Sequence, residues 1–397
     1  MDEKRITNKR MKEINLCMVL NLIRRNQYIT RSELVTHTGL TAASITNIVN
    51  ELREKGYIEL MDSGKSFGGR KPELICLKPN AEYAVGLEMT TTRLNCVVGN
   101  LQADVLAHIA VPISVSMGRD AIIETMVSTA NEAIVQSGLP RDRIIGLGLA
   151  IPGPCDYKNG VMLNPPNFPD WIQVPIREIL TRRLEMPVFI CKETSCDGLA
   201  EYWFGKAIGG ERILAIHIGM VGIGGAFVDQ GSVFRSDSHE TMDIGHNIVQ
   251  TDGYPCVCGS RGCLEAQAGG YAAVRYAREF IIADRTSRLG DPESVGIEDV
   301  LRGARENDIA CVHAVEKCAS YLATALRNVI LLLAPDRIFC GGDFVDRCPL
   351  LLTATKEYLN RISYPDCAHL SLEPFSFGRD NGAIGALALV FGRSLGA

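Results

Sequence analysis

No stretch of this 397-residue chain is both long and apolar enough to span a membrane. The longest apolar run, ATALRNVILLLAP, is broken by Arg327 and falls short of the roughly 20 residues that a spanning helix needs. The opening MDEKRITNKRMKEINL lacks the apolar segment of an export signal, since charge persists past the point where that segment would begin. Excess charge of one sign is also missing: the net charge is −5 at pH 7, which argues against a protein that simply coats nucleic acid. These absences predict a cytoplasmic protein without a membrane partner. In such a reducing compartment the 14 cysteines are not expected to form a disulfide framework. Eleven of them are scattered and read as small buried hydrophobes. The chain is long enough for two or three domains.

The charge is uneven. Residues 1–80 carry 14 Lys/Arg against 9 Asp/Glu, and the remainder carries 27 against 37. A basic module on an acidic body suits a DNA reader with a separate sensing domain. Residues 12–26 show helical spacing of apolar groups. Thr30 and Glu33 form a capping-box pattern that starts a short helix, and Gly39 ends it. TAASITNIVNELREKG starts another helix at Thr41, with Ile45, Ile48, Val49 and Leu52 on one face. Two helices about a glycine turn make a helix-turn-helix. Strand-like runs at 57–61 and 73–77 flank a Gly-rich basic tip, so the module at 1–80 is predicted to be a winged helix. Thr41, Ser44, Thr46 and Asn47 are candidates for reading bases, and Arg70 and Lys71 for holding the phosphate backbone. A helical protein-interaction module is the competing reading.

From Tyr83 the pattern is α/β. YAVGLEM, RLNCVVG and VLAHIAVPI read as successive strands, a helix follows at about 119–138, and ILAIHI and GGAFVDQGSVF repeat the strand–turn–strand opening further on. This predicts a duplicated, two-lobed body over 81–397 with a ligand cleft between the lobes. Within it, His246, Cys256, Cys258 and Cys263 set one imidazole and three thiols at short spacing. That donor set suits tetrahedral zinc, and with all four positions filled by protein the metal at 246–263 is structural. Free or redox-paired cysteines are the competing reading.

The ordered motifs IPGP (151–154), NPPNFPDW (164–171), GIGGAF (222–227), DIGH (243–246), CVCGSRGCLE (256–265) and CGG (340–342) resemble the ROK family, which holds sugar kinases and sugar-responsive repressors. The resemblance spans nearly the whole chain and implies an actin/hexokinase-like fold. A winged helix in front is what its repressor branch carries. It implies that Gly153, Asn167 (with Asn164 as a second candidate), His246 and Glu265 contact a sugar, with His246 also a metal ligand. Asp243 replaces the Glu of the family's Glu-x-Gly-His, and Lys192 and Glu193 replace its Asn-Asp pair, whose Asp is the catalytic base. The family's Asp-x-Gly-Gly-Thr phosphate turn is here GLEMTTTRL, with Glu88 for Asp and Thr90 and Thr91 for the glycines; a second phosphate turn carries Val221 in place of Thr. Threonines fit such a turn poorly, and Glu193 is one methylene too long and next to a lysine expected to hold it as a charged pair. The reading is a sugar-responsive repressor of a carbohydrate-utilisation operon, without kinase activity. It binds double-stranded operator DNA and a sugar or sugar-phosphate effector as a homodimer or homotetramer. An active ATP-dependent sugar kinase carrying a DNA-binding domain, with Glu193 as base, is the alternative.

Overall fold

The computed structural model describes residues 8–62, 73–208, 212–235, 242–283, 287–361 and 370–394. The chain forms two compact units. The first comprises Met1–Leu149, Pro175–Ile190 and Ala386–Ala397, and the second Ala150–Val174 and Cys191–Gly385.

The first unit opens with α1 (Asn8–Arg25), β1 (Ile29–Thr30), α2 (Arg31–Thr38), α3 (Ala42–Glu54), β2 (Ile58–Asp62) and β3 (Glu73–Leu77). The strands pair in the order β1-β3-β2. The capping box is formed: the Glu33 amide donates to Thr30 Oγ1 at 3.3 Å and the Thr30 amide to Glu33 Oε2 at 2.8 Å. Gly39 closes α2 at φ +69, a conformation that glycine enters without steric cost. Val19, Leu20, Ile23, Leu34, Ile45, Val49, Leu52 and Ile75 are fully buried and make the core of this module. Burying each such side chain contributes about 1.5–3 kcal/mol. A 3-10 turn at Pro79–Ala81 leads out of it. Beside that turn the Tyr57 hydroxyl donates to Glu82, and Ser394 Oγ donates to the same carboxylate at 2.9 Å.

The body continues with β4 (Tyr83–Met89), β5 (Arg93–Asn100), β6 (Val105–Pro112), α4 (Arg119–Gln136), β7 (Ile144–Ile151), β8 (Cys155–Asp156), β9 (Val161–Met162), α5 (Ile176–Leu184) and β10 (Val188–Lys192). Then come α6 (Glu193–Trp203), β11 (Ile213–Ile218), β12 (Ile223–Asp229), β13 (Ser232–Val233), α7 (Leu264–Ala268), α8 (Gly270–Ala283), α9 (Ile297–Arg305) and α10 (Ile309–Leu333). The chain closes with β14 (Arg337–Gly341), α11 (Asp343–Arg347), α12 (Pro349–Asn360), β15 (Ser371–Pro374) and α13 (Asn381–Ser394).

Two five-stranded sheets have the orders β10-β7-β4-β5-β6 and β13-β12-β11-β14-β15. Read from the other edge, the second repeats the first: an antiparallel three-strand meander, β4-β5-β6 or β11-β12-β13, with two later strands added beside its first member. That is the duplication expected from the repeated strand–turn–strand pattern. In the second unit, α10 buries Ala314, Cys318, Leu322 and Leu326 in one large core with the sheet and α8, α9 and α12. The 13 cysteines of the described residues are all free. Among the described residues no helix is long and apolar enough to cross a membrane.

Candidate functional site

The candidate DNA-reading face lies on α3. Thr41 caps it through the Ser44 amide at 3.2 Å. Ile45, Ile48, Val49 and Leu52 point inward, which leaves Thr41, Ala42, Ala43, Thr46 and Asn47 exposed. Ser44 is half-buried, and its hydroxyl lies 2.9 Å from Thr41 Oγ1 at the helix cap. Thr46 Oγ1 donates back to the Ala42 carbonyl at 2.8 Å. Arg70 and Lys71 lie outside the described residues.

The expected metal ligands converge. His246, Cys256, Cys258 and Cys263 place their donor atoms within 4.8 Å of one another. His246 Nδ1 is 3.6 Å from Cys256 Sγ, and Cys258 Sγ is 3.7 Å from Cys263 Sγ. The loop closes by backbone bonds: the Cys256 amide to the Ser260 carbonyl, the Gly262 amide to the Tyr254 carbonyl and the Val249 amide to the Gly262 carbonyl, at 2.8–2.9 Å. The Ser260 amide is the first influence that pulls the Cys258 thiol down to about 7, towards the thiolate that ligates metals. With Nδ1 facing the thiols, Nε2 of His246 is left for another partner.

The other expected contacts are carried by several elements of the second unit. Glu265, in the first turn of α7, accepts from the Ile223 amide at 3.2 Å. Burial pushes its carboxyl up, and the Ile223 amide and His246 oppose that shift. Gly153 has φ +83, and a Cβ there would meet Pro165 at 2.9 Å. Asn167 is exposed on the same loop, anchored by the fully buried Phe168 and Trp171. Lys192 and Glu193 mark the end of β10 and the start of α6. Lys192 directs its ammonium to Asp243 Oδ1 at 2.5 Å. Glu193 is governed chiefly by burial, which raises its carboxyl; Lys192 has the smallest of the opposing influences. The expected capture of Glu193 by its neighbouring lysine therefore gives way to a pair formed 51 residues apart.

Three buried or half-buried groups here escaped the sequence reading. Asp197 Oδ2 is 3.0 Å from His217 Nδ1, and Asn381 Nδ2 donates to Asp197 Oδ1 at 3.1 Å. The available signals were a lone histidine in the apolar strand ILAIHI and an acid one helical turn after Glu193.

The β4–β5 connection is the stretch that the sequence resemblance sets against the phosphate turn of the family's kinases. Here Thr90 Oγ1 accepts the amides of Thr92 and Arg93, at 3.3 and 3.1 Å, and the Thr90 amide is bonded to the Arg93 carbonyl. None of Thr90, Thr91 and Thr92 has positive φ. The amides of Thr90, Thr92 and Arg93 are thus bonded within the turn.

Residues 84–393 match the model of the ROK family, and residues 17–65 that of the MarR family. The chain belongs to the ROK family. It is 23% identical over 357 residues to a xylose repressor of Caldicellulosiruptor bescii, covering 89% of each chain. It is 28% identical over 262 residues to a glucokinase of Thermotoga maritima, covering 65% of this chain and 81% of that one. A crystal structure of a ROK family transcriptional regulator, described as a homolog of the E. coli MLC protein, superposes with a TM-score of 0.80 at 23% identity over 97% of this chain and 96% of that one.

Proposed function

We propose that this protein is a sugar-responsive transcriptional repressor that has lost kinase activity. The observation that carries the loss is the β4–β5 turn, where the Thr90 hydroxyl takes the amides that a nucleotide phosphate would need. Phosphate cradles depend on free backbone N–H groups and glycine conformations. The exposed face of α3, the MarR-like module and the repressors among its relatives support operator recognition. We propose that it binds as a homodimer or homotetramer. The xylose repressor among the relatives supports a sugar effector, and the residues expected to contact it lie in the second unit.

The donor set supports a structural zinc. A tetrahedral ion with arms of about 2.3 Å to sulfur and 2.0–2.1 Å to nitrogen gives edges of about 3.8 Å between sulfurs and about 3.6 Å from sulfur to nitrogen. The two measured separations, 3.7 and 3.6 Å, fit that figure. Bound, zinc would supply a rigid node; the chain's own part is to present His246 and Glu265 from the loop it fixes.

The test is fluorescence anisotropy of a duplex from the region upstream of the protein's own gene, across salt and a panel of sugars and sugar phosphates. Binding that falls steeply with salt and shifts with one sugar is expected. No binding under any condition would overturn the reading. The glucokinase among the relatives favours the kinase alternative, as does Glu193, because a carboxyl raised by burial suits a general base. An ATP-consumption assay across hexoses decides it, and no turnover is expected.

A further inference from the structure

The Lys192–Asp243 pair is an odd construction for a pocket that contacts a neutral sugar. Lys192 is 8% exposed, so its ammonium sits where losing a counter-charge is costly. The Asp243 side chain is 64% exposed and can turn into water at little cost. One partner is fixed and the other is replaceable.

We propose that the seat Asp243 occupies on Lys192 receives the carboxylate of a sugar acid, which displaces Asp243 on binding. This deepens the sensor reading above and rests on it. A polyol brings hydroxyls to a buried ammonium but no charge, so it cannot replace Asp243 there. A sugar carboxylate substitutes like for like, one monoanion for another. A carboxylate accepts a short, strong hydrogen bond from an ammonium. The eleven-residue α6 starts at this point without a side-chain cap, so its positive end also favours an anion. Glu193 opposes the ligand less than its formal charge suggests, since burial favours its neutral form. A phosphate dianion is the poorer match, because it is best held by forked or multiple cationic donors.

The exchange also supplies a signal. Asp243 opens the single 3-10 turn Ile244–His246, and the His246 amide donates to the Asp243 carbonyl at 2.9 Å. Releasing Asp243 from Lys192 frees one end of the segment whose other end carries His246, a member of the metal cluster.

The experiment is titration calorimetry of the full chain with D-glucuronate, D-galacturonate, D-gluconate, glucose 6-phosphate, glucose and xylose, on the wild type, Lys192→Met and Asp243→Asn. Melting temperatures check that each variant folds, and Lys192→Asn restores the family's residue should Lys192→Met fail to fold. A sugar acid is expected to bind more tightly than its neutral parent. Asp243→Asn should strengthen that binding about tenfold, because the competing carboxylate is gone. Lys192→Met should weaken it about a hundredfold or more. Opposite signs from the two halves of one ion pair are the signature of exchange; a merely structural pair loses affinity from either side. Neutral sugars binding as tightly as all the acids, glucose 6-phosphate binding more tightly than every sugar acid, or Asp243→Asn weakening the acid, would overturn this proposal and leave the sensor reading intact. No sugar binding, together with DNA anisotropy that no sugar alters, would overturn both.

Discussion

Gly262 has φ +71, and a Cβ there would stand 1.6 Å from the Gln250 carbonyl oxygen. Neither the conformation nor the space admits a side chain, and the Gly262 carbonyl accepts the Val249 amide that folds the loop back. Gly262→Ala is therefore expected to lower the metal content of the purified protein well below one per chain, read by elemental analysis. Gly259→Ala, where a Cβ meets nothing within 4 Å, should keep most of it despite a φ of +90. Glu193 gives a prediction in pH. Its folded carboxyl is raised above the ordinary 4.5 by burial, so its contribution to stability is full below that value and is lost as pH rises through the folded value. Glu193→Gln removes the penalty. Its melting temperature should match the wild type near pH 4 and exceed it at pH 8.

At the scale of elements, local chemistry was legible and distant pairing was not. The Thr30–Glu33 box, the Gly39 turn, α3 with its buried face, and the cluster within 246–263 are specified by residues a few positions apart, where spacing alone implies contact. The Lys192–Asp243 pair spans 51 residues, and Asn381 reaches Asp197 across 184, so no periodicity announces either. Thr90 was read for its bulk, but its hydroxyl matters more: one oxygen closes the turn by accepting two amides. Ser44 is polar and early in α3, which marks it for the bases, and its contact with Thr41 Oγ1 also ties it to the helix cap. The consequence is measurable on α3. Asn47→Ala should cost about 1–3 kcal/mol on the operator and relax sequence preference at one position. Ser44→Ala should weaken specific and non-specific duplexes alike by loosening the helix start. Anisotropy on both duplexes separates the two effects.

For the whole molecule, each compact unit holds its own five-stranded sheet and core, and the candidate metal cluster found among the described residues lies in the second unit. Stripping the metal with a chelator should therefore abolish effector binding and lower the melting temperature of the second unit. The fold of the winged-helix module, whose core lies in the first unit, should persist by circular dichroism, and its salt-dependent hold on non-specific DNA should survive. Loss of all DNA binding with the metal would show that the units are not energetically separable.

The joint at Glu82 bears on how the protein is made. Tyr57 can reach that carboxylate as soon as the first strands leave the ribosome, whereas Ser394 follows 312 residues later. At about 5–20 residues per second, that interval is on the order of 15–60 s. For that time each newly made chain carries a complete DNA-binding module fastened by one hydroxyl rather than two. An elongating polypeptide is thus a tethered reader before it is a regulated one.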